Sequence, residues 1–96
     1  MKPVRFHSAA EAEMNAAATY YEKEQPDLGK RFLAAVQEAV HKIQINPLLY
    51  PVIDRDVRRC LTRPFPFGVL YRNDADWIVI VSVMHLHREP GYWRSR

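Results

Sequence analysis

A chain of 96 residues, 48% of them hydrophobic and 11% aromatic, makes one folded domain, expected here over residues 1–96, with little room for a second hydrophobic core, and its composition argues against an intrinsically disordered protein. Its formal charge of +3 is too small for a chain-wide polyelectrolyte, and the lone thiol of Cys60 excludes an internal disulfide and suits a reducing cytoplasm. Met1–His7 lacks the apolar stretch of a secretion signal and the longest apolar run, Trp77–Val81, is far too short to cross a bilayer, so a cytoplasmic location and no membrane partner are expected.

The first element is a short strand, Pro3–Phe6. Ser8-Ala9-Ala10-Glu11 then has the spacing of a capping box, in which the Ser and Glu side chains satisfy two free amides at a helix start. Ala10, Met14, Ala17 and Tyr21 recur at helical spacing, a stripe of mostly small residues that lets another helix come close. A second helix starts at Asp27, a suitable N-cap after Pro26, and stops at Asn46-Pro47. Phe32, Val36, Val40 and Ile43 line its apolar face, and Lys30, Gln37, Glu38 and Lys42 stay wet. Few residues separate the helices, so the spacing predicts an antiparallel hairpin.

Beyond Asn46 the pattern changes. Pro47, Pro51, Pro64 and Pro66 break helices, and Val57–Arg63, Gly68–Asn73 and Trp77–His87 read as strands, the last two joined by the turn Asn73-Asp74-Ala75-Asp76. The order β-α-α-β-β-β predicts an α+β fold, with the N-terminal helical hairpin packed on one face of a mostly antiparallel four-stranded sheet. In the last strand, Trp77, Val79, Val81 and Val83 should point one way and Ile78, Ile80, Met84 and Leu86 the other. A strand apolar on both faces needs cover on both. The hairpin supplies one cover, and the C-terminal tail or a partner chain must supply the second; Tyr92 and Trp93 either cap that face or meet the partner.

The charge is uneven. Residues 1–48 carry six Lys/Arg and six Asp/Glu, while residues 49–96 carry eight Arg, no Lys and five acids. Arg presents a planar fork of donors suited to phosphate and carboxylate. Arg58, Arg59, Arg63, Arg72 and Arg88 are therefore candidate anion-binding residues, with Trp93 beside them; the alternative is that edge-strand Arg stay solvated and deter aggregation. His85 and His87, two apart, share a strand face, and imidazole is a side-chain type suited to acid–base work. They do not complete a zinc site, which needs three or four ligands, so no metal and no cofactor are expected. Cys60 reads as a buried structural thiol, and Tyr20, Tyr21, Tyr71 and Trp77 as packing residues.

Several segments in order carry a resemblance: Ala18-Thr19-Tyr20-Tyr21, Pro26-Asp27-Leu28-Gly29-Lys30-Arg31-Phe32, Ile43-Gln44-Ile45-Asn46-Pro47, Tyr50-Pro51 and Val57-Arg58-Arg59-Cys60-Leu61. Phe65-Pro66-Phe67-Gly68-Val69-Leu70-Tyr71-Arg72 and His85-Leu86-His87-Arg88-Glu89-Pro90-Gly91-Tyr92-Trp93 continue it. Along nearly its whole length the chain resembles the RelE/ParE superfamily of type II toxins, often called plasmid-stabilisation proteins. The resemblance implies a growth-inhibiting toxin neutralised by a cognate antitoxin whose C-terminal segment wraps it, as a homodimer or as a hetero-oligomer with that antitoxin. It leaves two targets. ParE-like members poison DNA gyrase without nuclease activity, and the long hairpin with Phe65-Pro66-Phe67 looks closer to these. RelE-like members cut messenger RNA on the ribosome. On that alternative His85 or His87 would serve as acid or base and Tyr92 as donor, while Arg59, Arg63 and Arg72 would hold the phosphate. The best-known RelE pattern has catalytic Lys on the second strand, where this chain has only Arg.

Overall fold

The computed structural model describes residues 1–96 and opens with β1 (Val4–Phe6), followed at once by α1 (Ser8–Glu24). His7, not Ser8, caps that helix. Its backbone is extended (φ −62°, ψ 141°), and its Nδ1 accepts a hydrogen bond from the Ala9 amide at 3.1 Å. The expected capping box is thus displaced, because the imidazole one residue earlier already fills the cap; Glu11 still places its charge in the first turn. After α1 the chain turns through Asp27, which sits in the left-handed region (φ 70°) and makes no side-chain cap. The Glu22 carboxylate takes over that job, accepting from the amides of Asp27 and Gly29 at 3.0 Å each. α2 (Leu28–Ile45) then runs back along α1. Gly29 is required at the crossing: a Cβ there would lie 2.5 Å from the Ala18 carbonyl oxygen.

The rest of the chain is sheet: β2 (Val52–Asp54), β3 (Val57–Leu61), β4 (Phe67–Asn73) and β5 (Ile78–His85). The strands lie in the order β1-β5-β4-β3-β2. β1 is parallel to β5 and every other pair is antiparallel, so the sheet is mixed, with five strands rather than the expected four. The unforeseen strand is β2. Three residues after Pro51 are too few to show a period, and it forms because Val52 and Asp54 pair with Arg58 and Val57.

Ala10, Ala18, Phe32, Val36, Ala39 and Ile43 of the hairpin close over Cys60, Val69, Tyr71, Ile78, Ile80 and Val83 of the sheet. Of the four aromatics read as packing residues, Tyr71 is fully buried and Tyr21 half-buried, whereas Tyr20 and Trp77 face solvent, Trp77 beneath the Arg5 guanidinium. On the opposite sheet face Val57, Leu70, Val81, Met84 and Trp93 form a second buried cluster. Trp93 is 2% exposed. The C-terminal tail is therefore the second cover, and Tyr92 packs beside Trp93. Strict alternation along β5 does not hold. Leu70 pairs with Ser82 but Tyr71 pairs with Ile80, so Val81 is an extra residue, a β-bulge. The bulge moves Val83 to the hairpin face and Met84 to the tail face, the reverse of the simple two-residue period.

Candidate functional site

The arginines of the second half divide into those that hold the scaffold and those left free. Arg58 donates to the carbonyls of Leu48 (3.2 Å) and Tyr50 (2.8 Å), clipping the loop after α2 to the sheet. Arg72 donates to the Arg96 carbonyl at 2.8 Å and lies 3.6 Å from Asp74. Arg94 pairs with Asp54 at 2.6 Å. Arg88 lies 3.6 Å from Glu13 and stacks 3.8 Å above the Tyr92 ring. Arg55, Arg59 and Arg63 make no side-chain hydrogen bond or ion pair, so their guanidiniums remain available to an outside anion.

Arg59 and Arg63 both border the outer edge of β3, where β2 runs out. A cleft of about 350 Å³ lies between that edge and α2, lined by Ala35, Glu38, Lys42, Tyr50, Arg59 and Arg63 among others. A second, of about 470 Å³, adjoins it and is lined by Leu61, Arg63, the Pro64–Pro66 loop and Leu86. Arg59 runs its stem along Gly68, where a Cβ would meet its Cδ at 2.8 Å; glycine is what lets the arginine lie flat on the sheet.

At the opposite side of the sheet is a cluster that sequence reading did not single out. Glu13 of α1 reaches the part of β5 that extends past β1. Its Oε1 accepts from Ser82 Oγ (3.0 Å), the Val83 amide (3.3 Å) and Arg96 Nη1 (2.8 Å). Arg96 also donates to the Val81 carbonyl at 3.0 Å, and Ser82 Oγ shares a 3.0 Å hydrogen bond with the Tyr92 hydroxyl. Two charged side chains thus satisfy strand-edge groups that a neighbouring strand would otherwise take. Burial pushes the Tyr92 phenol above its ordinary range, against a smaller lowering by its bond to Ser82. Glu13 Oε2 and Trp93 Nε1 are buried without a hydrogen-bond partner, Oε2 facing Arg88.

The histidines lie where the strands end, β5 stopping at His85 with His87 in the following turn. Their rings are 5.3 Å apart, and His85 sits edge-on to Phe67 at 5.1 Å. His85 Nδ1 accepts from the His87 amide at 3.0 Å, which places the proton of its neutral form on Nε2. Arg72 is not near them. Phe67 pairs with His85 and Arg72 with Val79, so five residues of β4, roughly 17 Å, separate the two places. Arg63 shares the histidines' end of the sheet, since Leu86 beside them lines the same cleft. Cys60 is buried, and burial raises its thiol pKa more strongly than the Tyr50 hydrogen bond and nearby Lys42 lower it, which makes a poor nucleophile. No three His, Cys, Asp or Glu side chains gather closely enough to hold a metal ion. No helix is long and apolar enough to cross a membrane.

Comparison with known proteins adds two findings. Residues 4–90 match the family described as ParE toxin of type II toxin-antitoxin system, parDE. Among solved structures, a chain from the chromosomal ParDE TA system of P. aeruginosa is similar, with a TM-score of 0.66 at 19% identity, covering 91% of this chain and 98% of that one. That likeness speaks to the fold. No curated protein matches the sequence.

Proposed function

The chain belongs to the ParE toxins of type II toxin–antitoxin systems, and from that premise we propose that residues 1–96 are a single toxin domain that stops growth by binding and inhibiting DNA gyrase, not by cutting RNA. The observation supporting this reading is the dispersal of the groups an RNA-cleaving site would need. Cleavage requires a base for the 2′-hydroxyl, donors for the phosphorane and an acid for the leaving oxygen, all within hydrogen-bond reach of one phosphate. Here Arg72 is held by Arg96 far from the histidines, the Tyr92 hydroxyl is tied to Ser82, and His85 Nδ1 is tied to a backbone amide. A binder needs no such convergence. It needs rigid surface and free cations, which Arg59 and Arg63 provide.

The ribosome-dependent endoribonuclease remains the second reading, because Arg63, His85 and His87 do lie at one end of the sheet. Supercoiling by purified gyrase, run beside primer extension on cellular messenger RNA, tests both. Loss of supercoiling with uncut message is the expected result. Codon-positioned cuts in message with unimpaired gyrase would overturn it. In either case the cognate antitoxin neutralises the toxin.

A further inference from the structure

We propose that the small pocket between the β2–β3 turn and the C-terminal tail is a phosphate site that takes one phosphodiester of a DNA backbone. The choice of DNA rests on the gyrase reading, since gyrase works on DNA; the choice of a phosphodiester rests on the pocket itself. The pocket has a volume of about 210 Å³ and is lined by Arg55, Arg72, Arg94, Asp54, Asp56 and Trp93 among others. That lies below the roughly 300–1,000 Å³ of sites that enclose a drug-sized molecule, so it suits one small group of a larger ligand. It belongs to the tail side of the sheet, where Val57 and Trp93 share a buried cluster. Arg55 and Asp56 form the turn between β2 and β3 and are exposed, so a bulky ligand can reach them.

The pocket is rich in unspent donors. Arg55 makes no side-chain hydrogen bond or ion pair inside the protein, so every N–H of its guanidinium is free. Arg94 commits Nε to Asp54 and Arg72 commits Nη1 to the Arg96 carbonyl, and each keeps further N–H groups. Trp93 is 2% exposed, and its Nε1 is buried with no acceptor. An indole N–H can only donate, and a buried donor left without an acceptor is rare in folded proteins. An oxygen of a bound phosphate supplies that acceptor. The charge of the lining then selects the kind of phosphate. Three arginines stand against Asp54 and Asp56, leaving one positive charge. A backbone phosphodiester carries one negative charge and balances it. A phosphomonoester, at about −1.5 to −2 near pH 7, exceeds it and meets Asp56, which no cation neutralises.

The test titrates the full chain, isotopically labelled, with a short DNA duplex, an RNA duplex of the same sequence and inorganic phosphate, reading the Trp93 indole N–H signal by NMR. The DNA duplex should move that signal at the lowest concentration of the three. Arg55→Gly, which suits the positive φ of 52° at the turn, should weaken duplex binding about tenfold and lower the slope of log affinity against log salt by about 1. Arg5→Ala, at the opposite edge of the sheet, should leave the Trp93 shift in place. Asp56→Asn should tighten the duplex and admit inorganic phosphate more readily. Three results would overturn the proposal: a Trp93 signal that stays still at saturating duplex, undiminished binding in Arg55→Gly, or a preference for RNA or free phosphate over DNA. These titrations contain no gyrase. A chain that blocks supercoiling but leaves the duplex unbound refutes the pocket alone; one that binds duplex and leaves supercoiling unimpaired refutes the gyrase reading alone.

Discussion

Arg96 Nη1 lies 2.8 Å from Glu13 Oε1, a pair 83 positions apart in sequence that ties the C-terminal tail to the first helix. Both side chains are largely out of solvent, 16% and 14% exposed, so this pair differs in kind from Lys30–Asp27, which is exposed on α2. The tail's cover over the second sheet face, with Trp93 beneath it, depends on this anchor together with Arg94–Asp54 and Arg72 on the Arg96 carbonyl.

Removing one partner of a buried pair leaves the other charge desolvated and unpaired. Arg96→Ala is therefore expected to destabilise the fold by about 3 kcal/mol, the lower end of the range for such breaks, since Arg88 still faces Glu13. Glu13→Gln keeps an acceptor for Ser82 and should cost less, about 1–2 kcal/mol. Urea unfolding of the two variants and of their combination measures this. A loss below about 0.5 kcal/mol for Arg96→Ala would place the pair among ordinary surface contacts.

The helices and the three long strands are legible in the sequence because each is long enough to display a period and each is bounded by Pro, Asn or a turn. What escapes is set by contacts distant along the chain. Glu13 looks like any wet helical residue; its partners Ser82 and Arg96 lie 69 and 83 positions away. One local signal was present. Ser82 interrupts an otherwise apolar run, and a buried hydroxyl requires a partner. The Val81 bulge has no sequence mark, so a strict alternation misassigned Val83 and Met84. Of the candidate anion-binding residues, Arg59 and Arg63 have no internal acceptor, while Arg58, Arg72, Arg88 and Trp93 are engaged within the fold. A sequence shows how many arginines there are, but not which find internal acceptors.

Tyr71 gives the fold a sensitivity to high pH. It is fully buried, its hydroxyl donates to the Pro47 carbonyl at 2.6 Å, and burial pushes its pKa up to about 12. A folded pKa above the unfolded value of about 10 means that the native state holds the proton more tightly. The stabilisation is fully present below pH 10 and is lost as pH rises toward 12, by about 3 kcal/mol over the window. Tyr71→Phe should cost about 1 kcal/mol at pH 7 through the lost hydrogen bond and should flatten this dependence. Denaturant midpoints of both proteins from pH 8 to pH 12 make the comparison, other tyrosines and lysines titrating equally in each. Parallel curves would show that Tyr71 is not the responsible group.

His85 and His87 separate the two modes of action most directly. In a nuclease, one imidazole would move a proton in the rate-limiting step, and its loss would reduce the rate by about 10²–10⁴-fold. In a gyrase inhibitor no proton is transferred by the toxin, and the two rings matter only as packing around Phe67 and as the acceptor for the His87 amide. His85→Gln keeps an acceptor near that amide, and His87 is exposed, so the double variant His85→Gln/His87→Gln should stay folded. The expected outcome is growth arrest at wild-type strength, with circular dichroism unchanged and gyrase supercoiling still blocked. Loss of arrest in a folded double variant would transfer the function to the imidazoles and favour RNA cleavage. Retained arrest would place the active surface elsewhere, with Arg59 and Arg63 the first residues to substitute.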